Sequence, residues 1–142
     1  MIGIIVSGHG NFATGITSSI ELIVGKQEHY IAIDFPLGTS LTKLEEDLNH
    51  ACVQLADCDD ILICCDLFHG TPFNQAMLLA IKNEKIKILY GINVGMMIEM
   101  LMNREQAKDF DFLCETAVQT GKEQIGLFSS SDISLDEEED TW

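Results

Sequence analysis

The sequence has a single arginine, Arg104, among only eight basic residues, and just two prolines and one tryptophan. No apolar run approaches the roughly 18 residues needed to span a bilayer. The N-terminus, Met1-Ile-Gly-Ile-Ile-Val-Ser-Gly, lacks the basic region and the long apolar stretch of a signal peptide. A cytoplasmic protein is expected. Against so few cations stand 23 acidic residues, for a net charge of -15. Such a surface repels nucleic acid and anionic lipid and favours a partner with a positive docking face. With one arginine, any phosphate site must depend on backbone N–H groups and helix ends. The five cysteines include no C-x-x-C pair. Cys64 and Cys65, adjacent in an apolar run, are expected on opposite faces of a strand, as small buried hydrophobes in a reducing compartment. No two histidines have metal-ligand spacing, so neither a metal nor another cofactor is predicted.

What the sequence does contain is a chain of 142 residues, 46% hydrophobic, enough for one domain with a real core. Strand and helix patterns alternate. Residues 2–6 are a short apolar run ending in Ser-Gly-His-Gly, read as a buried strand. A helix follows over about 12–24, with Gly25 as its cap. Residues 30–35 make a second strand, and Thr39 or Ser40 caps a helix to about 56. Residues 61–65 form a third strand ending at Asp66. Thr71 as N-cap and Pro72 behind it start the next helix, which ends near 83. A fourth strand spans 85–90. Helices over 96–102 and about 106–120 come next, and 124–128 reads as a last short strand. Residues 129–142, serine-rich and then acidic, are expected to be a disordered tail. The order βαβαβαβ predicts an open, mainly parallel α/β sheet with helices on both faces. The first and third strands are the most apolar, which sets the spatial order 2-1-3-4.

In such a sheet the ligand crevice opens between strands 1 and 3, at their C-terminal ends. His9 follows the first of these strands and Asp66 the third. Two helix N-termini, after Gly10-Asn11 and at Thr71-Pro72, are expected to aim at the same place and form an anion site. An imidazole with a carboxylate on one nitrogen offers the other as a nucleophile, and the carboxylate stabilises the charge that develops. His9 and Asp66 are therefore the candidate catalytic pair. Gly8 and Gly10 would let the backbone approach closely, and Gly70 and Thr71 would supply N–H groups to a phosphoryl group. Ordinary loop residues at strand ends would show the same spacing. His69 could assist or gate, or simply be a solvated loop residue. Met96, after the fourth strand, is either core or a partner contact at the crevice rim.

Three segments carry a family resemblance: Ile4-Ile-Val-Ser-Gly-His-Gly, Asp66-Leu-Phe-His-Gly-Thr-Pro-Phe-Asn and Gly91-Ile-Asn-Val-Gly-Met. In order and spacing, over about 1–128, the chain resembles the mannose-family enzyme IIA domain of the bacterial sugar phosphotransferase system (PTS). The resemblance implies that His9 is phosphorylated, that Asp66 orients it, that the Thr71 hydroxyl lies near the phosphoryl group, and that Asn93 belongs to the fourth loop of the site. It implies a phosphohistidine carrier that takes phosphate from HPr and gives it to a IIB component. Contact with the membrane would be indirect, through the IIC/IID permease. It also implies a homodimer in which the strand at 124–128 is exchanged. Two positions depart from the family pattern: Phe68, where a tryptophan is common, and His69, where a glycine is often found. Both are expected at the partner-facing rim. A chain ending at Trp142 reads as a free-standing IIA subunit. Three alternatives compete. A histidine phosphatase would need arginines that are missing here. A non-catalytic ligand-binding module lacks a G-x-G-x-x-G or Walker sequence. The phosphocarrier subunit of dihydroxyacetone kinase is disfavoured by the Thr-Pro-Phe-Asn segment.

Overall fold

The computed structural model describes residues 1–133. Its first element, β1 (Ile2–His9), is buried from Ile2 to Gly8. A strand buried on both faces belongs in the middle of a parallel sheet. β1 pairs in parallel with β2 (Tyr30–Phe35) on one side and with β3 (Asp60–Cys65) on the other. β3 in turn pairs with β4 (Ile86–Leu89), giving the order β2-β1-β3-β4 expected from the apolar runs.

Right-handed crossovers then dictate where the helices go. The step from β1 back to β2 and the two forward steps run in opposite directions, so their helices fall on opposite faces. α1 (Phe12–Val24) covers one face, with α4 (Val94–Asn103) and α5 (Phe110–Glu123) beside it. α2 (Leu41–Gln54) and α3 (Thr71–Lys82) cover the other. Ile4, Val6, Leu62 and Cys64 point to the first layer; Ile5, Ile63 and Cys65 point to the second. The two adjacent cysteines thus part to opposite faces, as the period of a strand requires. Each fully buried branched side chain contributes about 1.5–3 kcal/mol.

The single arginine is spent inside. Arg104, 7% exposed, donates to the carbonyls of Ile2, Glu28 and His29 at 2.9–3.3 Å. It ties the start of β1 to the turn before β2.

Several boundaries differ from the sequence reading. Gly70, not Thr71, caps α3: its carbonyl accepts from Asn74 N–H at 2.8 Å, and Thr71 and Pro72 are already helical. α4 begins at Val94 because the Asn93 side chain accepts from Met96 N–H at 3.0 Å. α5 starts at Phe110, where Asp109 caps it by accepting from Phe112 N–H at 2.6 Å. The strand expected at 124–128 is not formed by the single chain. Those residues run past α5 with Ile125, Leu127 and Phe128 exposed. Of the expected tail, Ser130–Asp132 makes one 3₁₀ turn, and 134–142 lie outside the described residues.

Candidate functional site

The C-terminal ends of β1 and β3 bring His9 and Asp66 together across 57 positions of sequence. One carboxylate oxygen, Asp66 Oδ2, meets His9 twice: it accepts from the backbone N–H at 2.9 Å and lies 2.8 Å from the ring Nδ1. The other oxygen, Oδ1, accepts from Leu67 N–H at 2.9 Å. Burial alone would raise the Asp66 pKa. The hydrogen bonds from the His9 backbone and ring, and from Leu67, outweigh it and hold the carboxyl below its usual range. An ionised carboxylate is only an acceptor, so Nδ1 must carry the proton, and in the neutral tautomer that this selects Nε2 keeps a bare lone pair. The Asp66 side chain is 13% exposed and that of His9 is 44% exposed, so the carboxylate is covered and the imidazole is open.

Two glycines make this contact possible. A Cβ on Gly8 would stand 2.9 Å from Asp66 Cγ, and one on Gly70 would stand 2.5 Å from His9 Cε1. Gly70 therefore lies directly against the imidazole, at the N-terminus of α3. The N–H groups of Gly70 and Thr71 have no hydrogen-bond partner among the described residues. A helix start with free donors beside an open imidazole nitrogen suits an anion.

The structure does not gather every predicted residue. Gly10 is not free to bind phosphate through its N–H, which donates to Phe35 O at 2.9 Å, while Phe35 N–H returns a bond to Gly10 O at 3.1 Å. One backbone donor at the N-terminus of α1 is likewise taken. Asp34 accepts from Thr14 N–H at 2.9 Å and from the Thr14 hydroxyl at 2.6 Å. Of the two helix ends expected to face an anion, that of α3 lies against the imidazole, and that of α1 already carries a carboxylate. Asn93 is turned inward, with its amide donating to Gly121 O at 3.0 Å and its oxygen capping α4. Met96 is 4% exposed and packs in the core instead of at the rim. Phe68 and His69 are exposed beside the site and pack on each other with ring centroids 3.7 Å apart.

Phe35 was missed by the sequence reading. Besides pairing with Gly10, it sets its ring edge-on to His9 at 6.4 Å. Its signal was the register: His9 and Phe35 are opposite one another at the ends of adjacent strands. Among the described residues, no cluster of three His, Cys, Asp or Glu side chains is placed to hold a metal ion.

An open parallel sheet of order 2-1-3-4, with His9 and Asp66 paired at the β1/β3 switch point, defines a doubly wound α/β domain of flavodoxin-like strand order. Residues 3–118 match the family EIIA-man, described as PTS system fructose IIA component, and the chain belongs to that family. It is similar to the mannose-specific EIIAB component of the PTS from Escherichia coli K12, with 32% identity over 132 residues. That match covers 93% of this chain but 41% of the relative, so the chain spans about two fifths of that relative's length. A fructose-specific EIIA component from Bacillus subtilis is 30% identical, covering 80% of this chain and 77% of its own. The crystal structure of phosphotransferase system component EIIA from Streptococcus agalactiae superposes with a TM-score of 0.83 at 36% identity, covering 92% of this chain and 99% of that one.

Proposed function

We propose that this chain is a phosphoryl carrier in PTS sugar uptake, with His9 as the phosphorylated residue. The observation that carries this reading is the double engagement of Asp66 Oδ2 by His9, which fixes the ring and leaves Nε2 bare against Gly70. In the proposed step, Nε2 attacks the phosphorus of a phosphohistidine on HPr. A new N–P bond forms as the donor N–P bond breaks, and the donor imidazole leaves with the bonding pair. The proton on Nδ1 stays in its bond to Asp66, which offsets the positive charge developing on the ring. The Gly70 and Thr71 N–H groups and the Thr71 hydroxyl stabilise the phosphoryl oxygens without a cationic side chain. The same group then passes to a IIB component, and the IIC/IID permease is met only through that partner.

Residues 1–128 would make up the IIA unit, acting in the cytoplasm. No helix among the described residues is long and apolar enough to cross a membrane. A homodimer accounts for two loose ends. Among the described residues, β4 is an edge strand with no neighbour beyond it, and 124–128 exposes apolar side chains and pairs with no strand. Exchange of that segment between protomers would satisfy both.

The test is phosphorylation with labelled phosphoenolpyruvate, enzyme I and HPr. The chain should acquire an acid-labile, alkali-stable label that a His9→Ala variant lacks. A wild-type chain that stays unlabelled would overturn the carrier reading.

A further inference from the structure

His69 is held in a conformation that an L-residue with a bulky side chain seldom takes, with φ 64°. The only other non-glycine residue of this kind among the described residues is His29, far from the crevice, whose carbonyl is bonded by Ile4 N–H and by Arg104. His69 has a different setting. Asp66 and Gly70, only four residues apart, both touch the same imidazole, that of His9. The backbone between them must reverse sharply, and His69 sits next to Gly70 in that reversal.

Its ring is not idle. It packs on Phe68 at 3.7 Å between centroids and meets the edge of Phe73 at 5.7 Å. Phe68 in turn stacks on Tyr90 at 4.5 Å, and Phe73 is buried in the first turn of α3. The four rings join the loop to α3 and to the end of β4. We propose that His69 is a positioning residue for transfer at His9: its ring, held on Phe68 and Phe73, fixes the left-handed bend that keeps Asp66 and Gly70 on one imidazole. A glycine would adopt the bend freely but could not anchor it.

This inference rests on the reading of His9 as the phosphoryl acceptor. Its test compares His69→Ala and His69→Phe with the wild type in single-turnover transfer from phosphorylated HPr. The alanine variant should lose roughly tenfold in maximal rate with an unchanged KM for HPr, while the phenylalanine variant, which keeps a ring, stays within about twofold of wild type. A second readout needs no phosphate. The proton resonance of His9 Nδ1–H, in protein of native near-UV circular dichroism, should broaden or shift in the alanine variant and persist in the phenylalanine variant. Equal rates in all three proteins would overturn the proposal. So would a loss confined to KM, which marks a docking contact, or a phenylalanine variant as slow as the alanine one, which marks imidazole chemistry. If the wild type takes no label, the carrier reading fails, and the resonance alone decides whether His69 positions His9.

Discussion

The imidazole of His9 is gripped from two sides, by a carboxylate on Nδ1 and by the Gly70 backbone against Cε1. Gly70 has φ -81° and ψ 169°, values any residue adopts, so alanine there meets no backbone objection. Its Cβ alone conflicts with the ring, 2.5 Å from Cε1. A Gly70→Ala variant should therefore fold with near-native stability and transfer phosphate roughly 100-fold more slowly, as a displaced nucleophile does. Label transfer at matched HPr concentration measures this, and a native rate would show that the ring does not depend on the close approach. His9 and Asp66 could be read from sequence because each ends a strand whose place in the sheet follows from its apolar run. The role of Gly10 could not. Whether a loop N–H is free depends on what lies opposite, and Phe35 is opposite only once β1 and β2 are in register.

Among the elements, helix ends decide most of the local chemistry. The first turn of α1 is capped at Thr14 by Asp34 from the end of β2, which accepts from its N–H and its hydroxyl. Removing a capping carboxylate of this kind costs about 1 kcal/mol. An Asp34→Ala variant should lose about that much in a urea or guanidinium titration; an unchanged midpoint would mean that the cap adds nothing. Strand order, helix faces and most spans were legible because apolar periodicity and right-handed crossover leave few choices. The start of α5 was placed four residues early, although Asp109 carried a usable cap signal. The strand at 124–128 is not formed by the single chain for another reason. Its residues suit a strand, but a strand exists only against a partner, and in the single chain 124–128 pairs with neither edge of the sheet.

At the scale of the whole molecule, the chain has 23 acidic and eight basic side chains, and its one arginine is buried at the base of the sheet. No guanidinium is left for the crevice, which is why the donors there are backbone. The edge of β4 and the exposed 124–128 segment are the physical case for the proposed homodimer. Equilibrium sedimentation should return twice the 15.7 kDa chain mass for the full sequence, and the single mass for a chain ending at Glu123. A full chain that sediments as one copy would remove the exchanged strand from the account.

Asp34 has one more consequence. Its carboxylate on Thr14 sets a negative charge at the start of α1, so an anion beside His9 is favoured on the other side, at the N–H groups that begin α3. On the reading of His9 as the phosphoryl acceptor, the group arrives at and leaves from the same atom, the open Nε2. Donor and acceptor then claim the same ground and cannot be bound at once. Turnover becomes a strict alternation of visits, and an excess of either partner obstructs the other.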